Sequence, residues 1–128
     1  MGQDNVQRTS LNIGRGQGTD AVQAVVLVDT AAENKEIIAG QTGKTLYLNY
    51  VAISISDAGN NDVFKLTDGS GGTAFWHIHY FSSGYYQPRA YSINFGEYGF
   101  ALTQDNGLFG VTDDGSFQLL VTALGCWR

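Results

Sequence analysis

The stretch Thr45-Leu-Tyr-Leu-Asn-Tyr-Val-Ala-Ile-Ser-Ile-Ser56 decides the fold class. It holds no Gly or Pro, is rich in β-branched and aromatic residues, and alternates large apolar side chains with smaller or polar ones, as a strand with one covered face does. Its apolar phase starts on Leu46, Leu48 and Tyr50 and then moves to Val51, Ile53 and Ile55. Successive side chains of a strand point to opposite faces, so a one-residue change of phase predicts a β-bulge near Tyr50 or a strand that swaps its buried face.

The same grammar continues outward in both directions. Downstream, Asp57-Ala-Gly-Asn-Asn-Asp62 reads as a turn, built from residues that tolerate left-handed backbone. Phe64 and Leu66 then alternate with Lys65 and Thr67 before a second turn, Asp68-Gly-Ser-Gly-Gly72. Thr73 to Phe81 sets Ala74, Trp76, Ile78 and Tyr80 against Phe75, His77, His79 and Phe81, and a loop from Ser82 to Pro88 leads to a strand on Tyr91, Ile93 and Phe95. Asn106-Gly107 precedes Leu108 to Thr112, and Asp113-Asp-Gly115 precedes Phe117 to Leu124. Asn-Gly and Asp-Gly between apolar runs are hairpin signals. Upstream, Val22 to Val28 is almost continuously apolar, the pattern of a strand covered on both faces. Glu36 to Ala39 is a short, ambiguous segment, and Thr30-x-x-Glu33 has the form of a capping box for one helical turn. Turn signals recur about every 8–15 residues and no long amphipathic helix intervenes, which predicts an all-β fold, a single antiparallel sandwich of about eight strands. The Cys…Trp…Cys spacing of immunoglobulin domains is missing, so a jelly roll is preferred.

Composition bounds the function. The chain of 128 residues has room for one core, which we place at residues 21–128, preceded by an extended, Gly-rich arm over residues 1–20. Within that lead only Val6, Leu11 and Ile13 offer apolar anchors; Gly14, Gly16 and Gly18 alternate with Arg15 and Gln17. Such a segment buries too little to offset its own ordering, so it is a disordered tail or an arm that orders on a neighbour, and in an assembly protein the arm is the reading. Charged residues make up 15% of the chain, against about 25% in ordinary soluble domains. A surface so poor in charge is finished with small polar residues or hidden against a partner, as in an assembly protein. The net charge is −5. Asp4 and Asp20 balance Arg8 and Arg15 in the lead, so the acidic excess lies in the body. Lys35, Lys44, Lys65, Arg89 and Arg128 do not cluster, which argues against nucleic acid as a partner. No apolar run is long enough to span a membrane, and the start of the chain has no apolar signal segment, so the expectation is a protein kept in a cytosol or in a particle assembled there.

Sequence motifs for chemistry fail one after another, and we expect no enzyme and no cofactor. Gly40-Gln-Thr-Gly43-Lys44-Thr45 places two residues between its glycines where a phosphate loop needs four, and a strand follows where a helix should begin. Gly14-x-Gly16-x-Gly18 follows no strand and reads as a hinge. No Gly-x-Ser-x-Gly elbow occurs. His77 and His79 fall on one face of a strand and would both reach a metal, as in a cupin-like enzyme, but packing between Phe75 and Phe81 is the reading we adopt. Asp57 to Asp62 and Asp113-Asp114 lack calcium-loop spacing and are turns. Cys126, the single cysteine, reads as a small buried apolar group. Tyr85 and Tyr86 lie beside Pro88 in a loop, where a core role is least natural; amphipathic rings there suit a subunit contact, or a sugar-stacking surface together with Trp76.

From about Val22 to Leu124 the chain resembles the small β-sandwich modules of tailed-phage virions, found as head decoration (cement) proteins and as fibre parts. The resemblance rests on Ile37-Ile-Ala-Gly40 leading through Gly43-Lys44 into Leu46–Ile55, on the polar turn Asp57–Asp62, on Gly107-Leu-Phe109 and Val111-Thr112, and on Val121-Thr-Ala123. It implies a homotrimer carried in the virion, bound to the major capsid protein or another virion protein, without catalytic residues. The lead would then lie on the capsid or on a neighbouring subunit, with Val6, Arg8, Leu11, Ile13 and Arg15 as contacts, joined by Tyr85 and Tyr86. No fibrous repeat or coiled-coil trimeriser accompanies the module, which favours a decoration protein over the alternative, a receptor- or glycan-binding fibre or tail tip.

Overall fold

The computed structural model describes residues 20–29, 34–57, 62–80, 88–113 and 118–128, and the structural statements below concern these. The strands are β1 (Ala21–Val28), β2 (Asn34–Ile38), β3 (Leu46–Asp57), β4 (Asp62–Asp68), β5 (Thr73–Tyr80), β6 (Ala90–Asn94), β7 (Phe100–Ala101), β8 (Leu108–Thr112) and β9 (Gln118–Trp127). They form two antiparallel sheets. One runs β1-β9-β3-β6 with β7 also paired to β3, and the other runs β2-β8-β4-β5. An all-β sandwich is therefore the architecture. The expected arm falls almost wholly outside the described residues, as do the capping box, most of the Asp57–Asp62 turn and most of the Ser82–Pro88 loop.

The core is made where the inward faces meet. Leu46, Leu48, Val51, Ile53 and Ile55 of β3 are buried with Leu119, Val121 and Ala123 of β9 and Val28 of β1. Opposite them lie Ile37, Ile38, Phe64, Leu66, Ile78 and Leu108 of the four-stranded sheet. Between β5 and β6, at the open edge, the gap is closed by rings. Trp76 meets Tyr91 edge-on with centroids 6.2 Å apart, and Phe75 lies 4.8 Å from Phe100.

The phase change in the deciding stretch is a bulge. Between Leu48 and Tyr50 the pairing of β3 with β9 shifts by one residue, and Asn49 is the extra residue. On the opposite side of β3, β6 ends at Asn94 against Tyr50 and β7 resumes with Phe100 against Leu48, so β6 and β7 form one strand interrupted at the bulge. Asn49 is buried and holds the interruption together: its amide nitrogen donates to the carbonyls of Gly96 and Glu97 at 2.9 and 3.0 Å. Its backbone carbonyl accepts from Phe95 N–H at 2.9 Å. Asn49→Asp puts a carboxylate against those two carbonyls in place of a donor, and should lower unfolding stability by roughly 2–4 kcal/mol. Urea unfolding followed by tryptophan fluorescence measures this; an unchanged midpoint would show that the amide does not tie the segment down.

Three expectations need correction. The strand β1 is not covered on both faces within one chain: Val25 and Leu27 are 55% and 46% exposed. It is an edge strand, and among the described residues the side away from the core has nothing over it. Second, Asn106-Gly107 and Asp113-Asp-Gly115 do not make hairpins, because β8 belongs to one sheet while β7 and β9 belong to the other. The tight hairpin is β4–β5, turning through Gly69 to Gly72. Third, His77 and His79 are not core residues; both are exposed on the outer side of β5, opposite Lys65 and Val63.

Candidate functional site

The two outer faces of the sandwich differ in chemistry. On the four-stranded sheet Glu36, Lys65, His77 and His79 point away from the core. On the five-stranded sheet the register aligns outward residues in rows. Leu27, Leu120, Ser54 and Ala90 form one row across β1, β9, β3 and β6. Val25, Thr122, Ala52 and Ser92 form the next, and Gln23, Leu124, Tyr50 and Asn94 a third. These rows hold no Asp, Glu, Lys, Arg or His. On β1 and β9 the rows carry Val25, Leu27 and Leu120, which are 55%, 46% and 41% exposed, together with Leu124, Gln23 and Thr122. Those of β3 and β6 in the first two rows, Ser54, Ala90, Ala52 and Ser92, are small. The result is a ridge beside a hollow: an open depression of about 280 Å³ lies over Ala52 and Ser54, bounded by Tyr50, Ser92, Ala90, Leu120 and Thr122.

Beyond the third row Tyr47 sits opposite Cys126, and the Arg128 guanidinium lies 4.4 Å from the Tyr47 ring centroid. Cys126 is fully buried there, as a small apolar group. Charge thus appears only at the margin of this face. Among the described residues the most exposed aromatic side chain is Tyr98, 73% exposed in the segment between β6 and β7.

The end of the sandwich that carries Gly40–Thr45 is closed by its own polar groups. Gly43 N–H donates to the Asp105 carboxylate at 2.6 Å, so the amide that resembled part of a phosphate loop already has an anion. Asp68 accepts from Thr103 N–H at 3.0 Å, from Thr103 Oγ1 at 2.7 Å and from the Asn106 amide at 3.0 Å. These bonds lace the β4 end to the β7–β8 connection and leave little capacity for a ligand. Asp113 likewise accepts from Val63 N–H at 2.9 Å. Among the described residues no group of three or more His, Cys, Asp or Glu is placed to hold a metal. Lys65 stands opposite His77 in register, so the neighbouring strand offers the histidines an ammonium where a metal site needs a carboxylate.

Of the residues singled out by sequence, Val6, Arg8, Leu11, Ile13, Arg15, Tyr85 and Tyr86 all lie outside the described residues. Trp76 is half-buried and engaged by Tyr91, which takes its ring edge out of a sugar platform. Sequence reading missed the open face on β1 and β9. The signal was present: a strand apolar at every other position on both phases has one phase too many for a sheet with a single core face. Neither a scan against protein-family models nor a search of curated proteins finds a match to this chain.

Proposed function

We propose that this chain is a non-enzymatic structural protein of a tailed-phage virion, a head decoration protein that binds the assembled shell as a trimer and stabilises it. The observation that carries the reading is the outer face of the five-stranded sheet, where three adjacent rows across β1, β9, β3 and β6 hold no ionisable side chain in a protein that is otherwise acidic. Enzymes concentrate ionisable groups in clefts; here the conspicuous surface is an open, uncharged sheet suited to protein contact. A jelly roll is the finer reading of the fold, supported by the strand orders β1-β9-β3-β6 and β2-β8-β4-β5, with β7 as a continuation of β6. The resemblance to tailed-phage modules points the same way.

The mechanism is mass action. A protein that binds only the assembled shell lowers the free energy of that shell in proportion to its occupancy. Residues 1–20 and the loop with Tyr85 and Tyr86 provide the shell contact in this reading, and the sandwich provides the rigid body. Mixing the purified protein with undecorated heads of the phage that carries it, then pelleting the heads, should bring the full chain down. A variant lacking residues 1–20 should stay folded and remain in the supernatant. Truncated protein that pellets as well as the full chain would remove the arm from the reading, and a full chain that never pellets would end the decoration reading itself.

A further inference from the structure

We infer that the uncharged outer face of the five-stranded sheet is where copies of this chain meet one another. The inference deepens the proposed function, resting on it only for the premise that the protein works as an oligomer. The occupant follows from charge, shape and size.

Charge comes first. Each copy carries a net −5, so the surface on which two copies approach most closely with the least like-charge repulsion is one that holds no charge of its own. A partner of opposite sign would be recognised through the acidic residues, and none of those lies in the three rows across β1, β9, β3 and β6. Interface cores are depleted in charge in the same way. The acidic side chains sit elsewhere, as Asp20 and Asp29 do at the two ends of β1.

Shape is the second argument. Val25, Leu27 and Leu120 form the ridge, and the hollow over Ala52 and Ser54 lies next to it on the same sheet. A surface that carries a ridge beside a hollow can receive its own copy, ridge into hollow, in a two-fold pair or head to tail around a closed ring. The third argument is area. Three rows about 6.6 Å apart on four strands about 4.8 Å apart cover roughly 400 Å² in projection. That is at the upper range of what a monomer leaves open and about half of the roughly 800 Å² each partner gives to a standard interface. An interface of that size belongs to the weak, reversible class of association.

The test is light scattering on the full chain at roughly 100 µM, a concentration that saturates an association with a Kd of about 1 µM. The wild type should have the mass of two or more copies. Leu120→Lys and Val25→Glu, both at exposed positions, should keep the wild-type circular dichroism and a cooperative melting transition, and weaken association by roughly 100-fold or more. Lys65→Glu, on the outer face of the other sheet, should leave the mass unchanged. A wild type that is monomeric at this concentration, or folded Leu120→Lys and Val25→Glu proteins that keep the wild-type mass, would overturn the inference. So would variants that keep their mass but no longer pellet with heads, since the face would then belong to the shell. Dissociation of the variants supports the inference even where the wild type ignores heads; in that case the decoration reading fails and the contact between copies stands.

Discussion

Gly107→Ala should cost roughly 3–5 kcal/mol and lower the melting temperature by about 10–20 °C. Gly107 ends the connection from β7 to β8, and its carbonyl accepts from Gly69 N–H at 2.9 Å. It is buried where the end of β2 passes backbone to backbone. A Cβ at this position would overlap the carbonyl oxygen of Ile38 and stand 2.7 Å from Gly40 N. Both obstacles are main chain, so no rotamer change relieves them and β2 must move away from β8. Gly43→Ala is the contrasting substitution. Its Cβ meets nothing within 4 Å, but its φ of +79° is a left-handed conformation, so the cost should stay near the ~1 kcal/mol of that backbone strain. Thermal unfolding of both variants separates the two mechanisms, and equal shifts would contradict the close approach of β2 and β8.

The second large effect is at Phe64, the largest of the side chains with no solvent exposure. Phe64→Ala should cost roughly 3–5 kcal/mol, the lost transfer energy of the ring plus the cavity it leaves. What makes the site informative is the residue facing the ring. A Cβ on Gly110 of β8 would lie 2.8 Å from Phe64 Cε1 and 3.0 Å from Cζ, with Ile37 Cδ1 at 3.2 Å. Gly110→Ala alone should therefore destabilise by about 1–3 kcal/mol through overpacking. Combined with Phe64→Leu, which withdraws the ring edge, the loss should fall short of the sum of the two single losses by about 1 kcal/mol or more. Urea unfolding of the four proteins in the cycle gives the coupling directly. An additive result would mean that the ring and the Gly110 Cβ position do not compete for the same space.

The alternation in Leu46–Ile55, the turn residues and the lack of a helical period were sufficient for an all-β chain, because the two-residue period of a strand is a local property of the backbone. The bulge at Asn49 was legible for the same reason: a one-residue insertion must move the apolar phase, and the shift from Leu48 to Val51 records it. Burial of Cys126 also followed from local composition. What each strand pairs with was not local. Asn106-Gly107 and Asp113-Asp-Gly115 carry hairpin chemistry, yet the strands beside them join opposite sheets, because the turn residues specify a reversal of the chain and not the sheet that receives it. His77 and His79 could not be told from packing residues until the register of β5 against β4 put them outside with Lys65. The candidate face depended most on tertiary structure. Val25 and Leu27 come from one end of the described chain and Leu120 from the other, with Ala52 and Ser54 between them in sequence. Only the pairing of β1 with β9, and of β9 with β3, lines them into one uncharged surface. The sequence by itself determined the all-β character and the inward phase of strands such as β3 and β4 through local sterics and hydrophobic period; the tertiary structure decided the faces of β1 and β5 and which outward residues became neighbours, because cross-strand register is set by contacts between segments far apart in the chain.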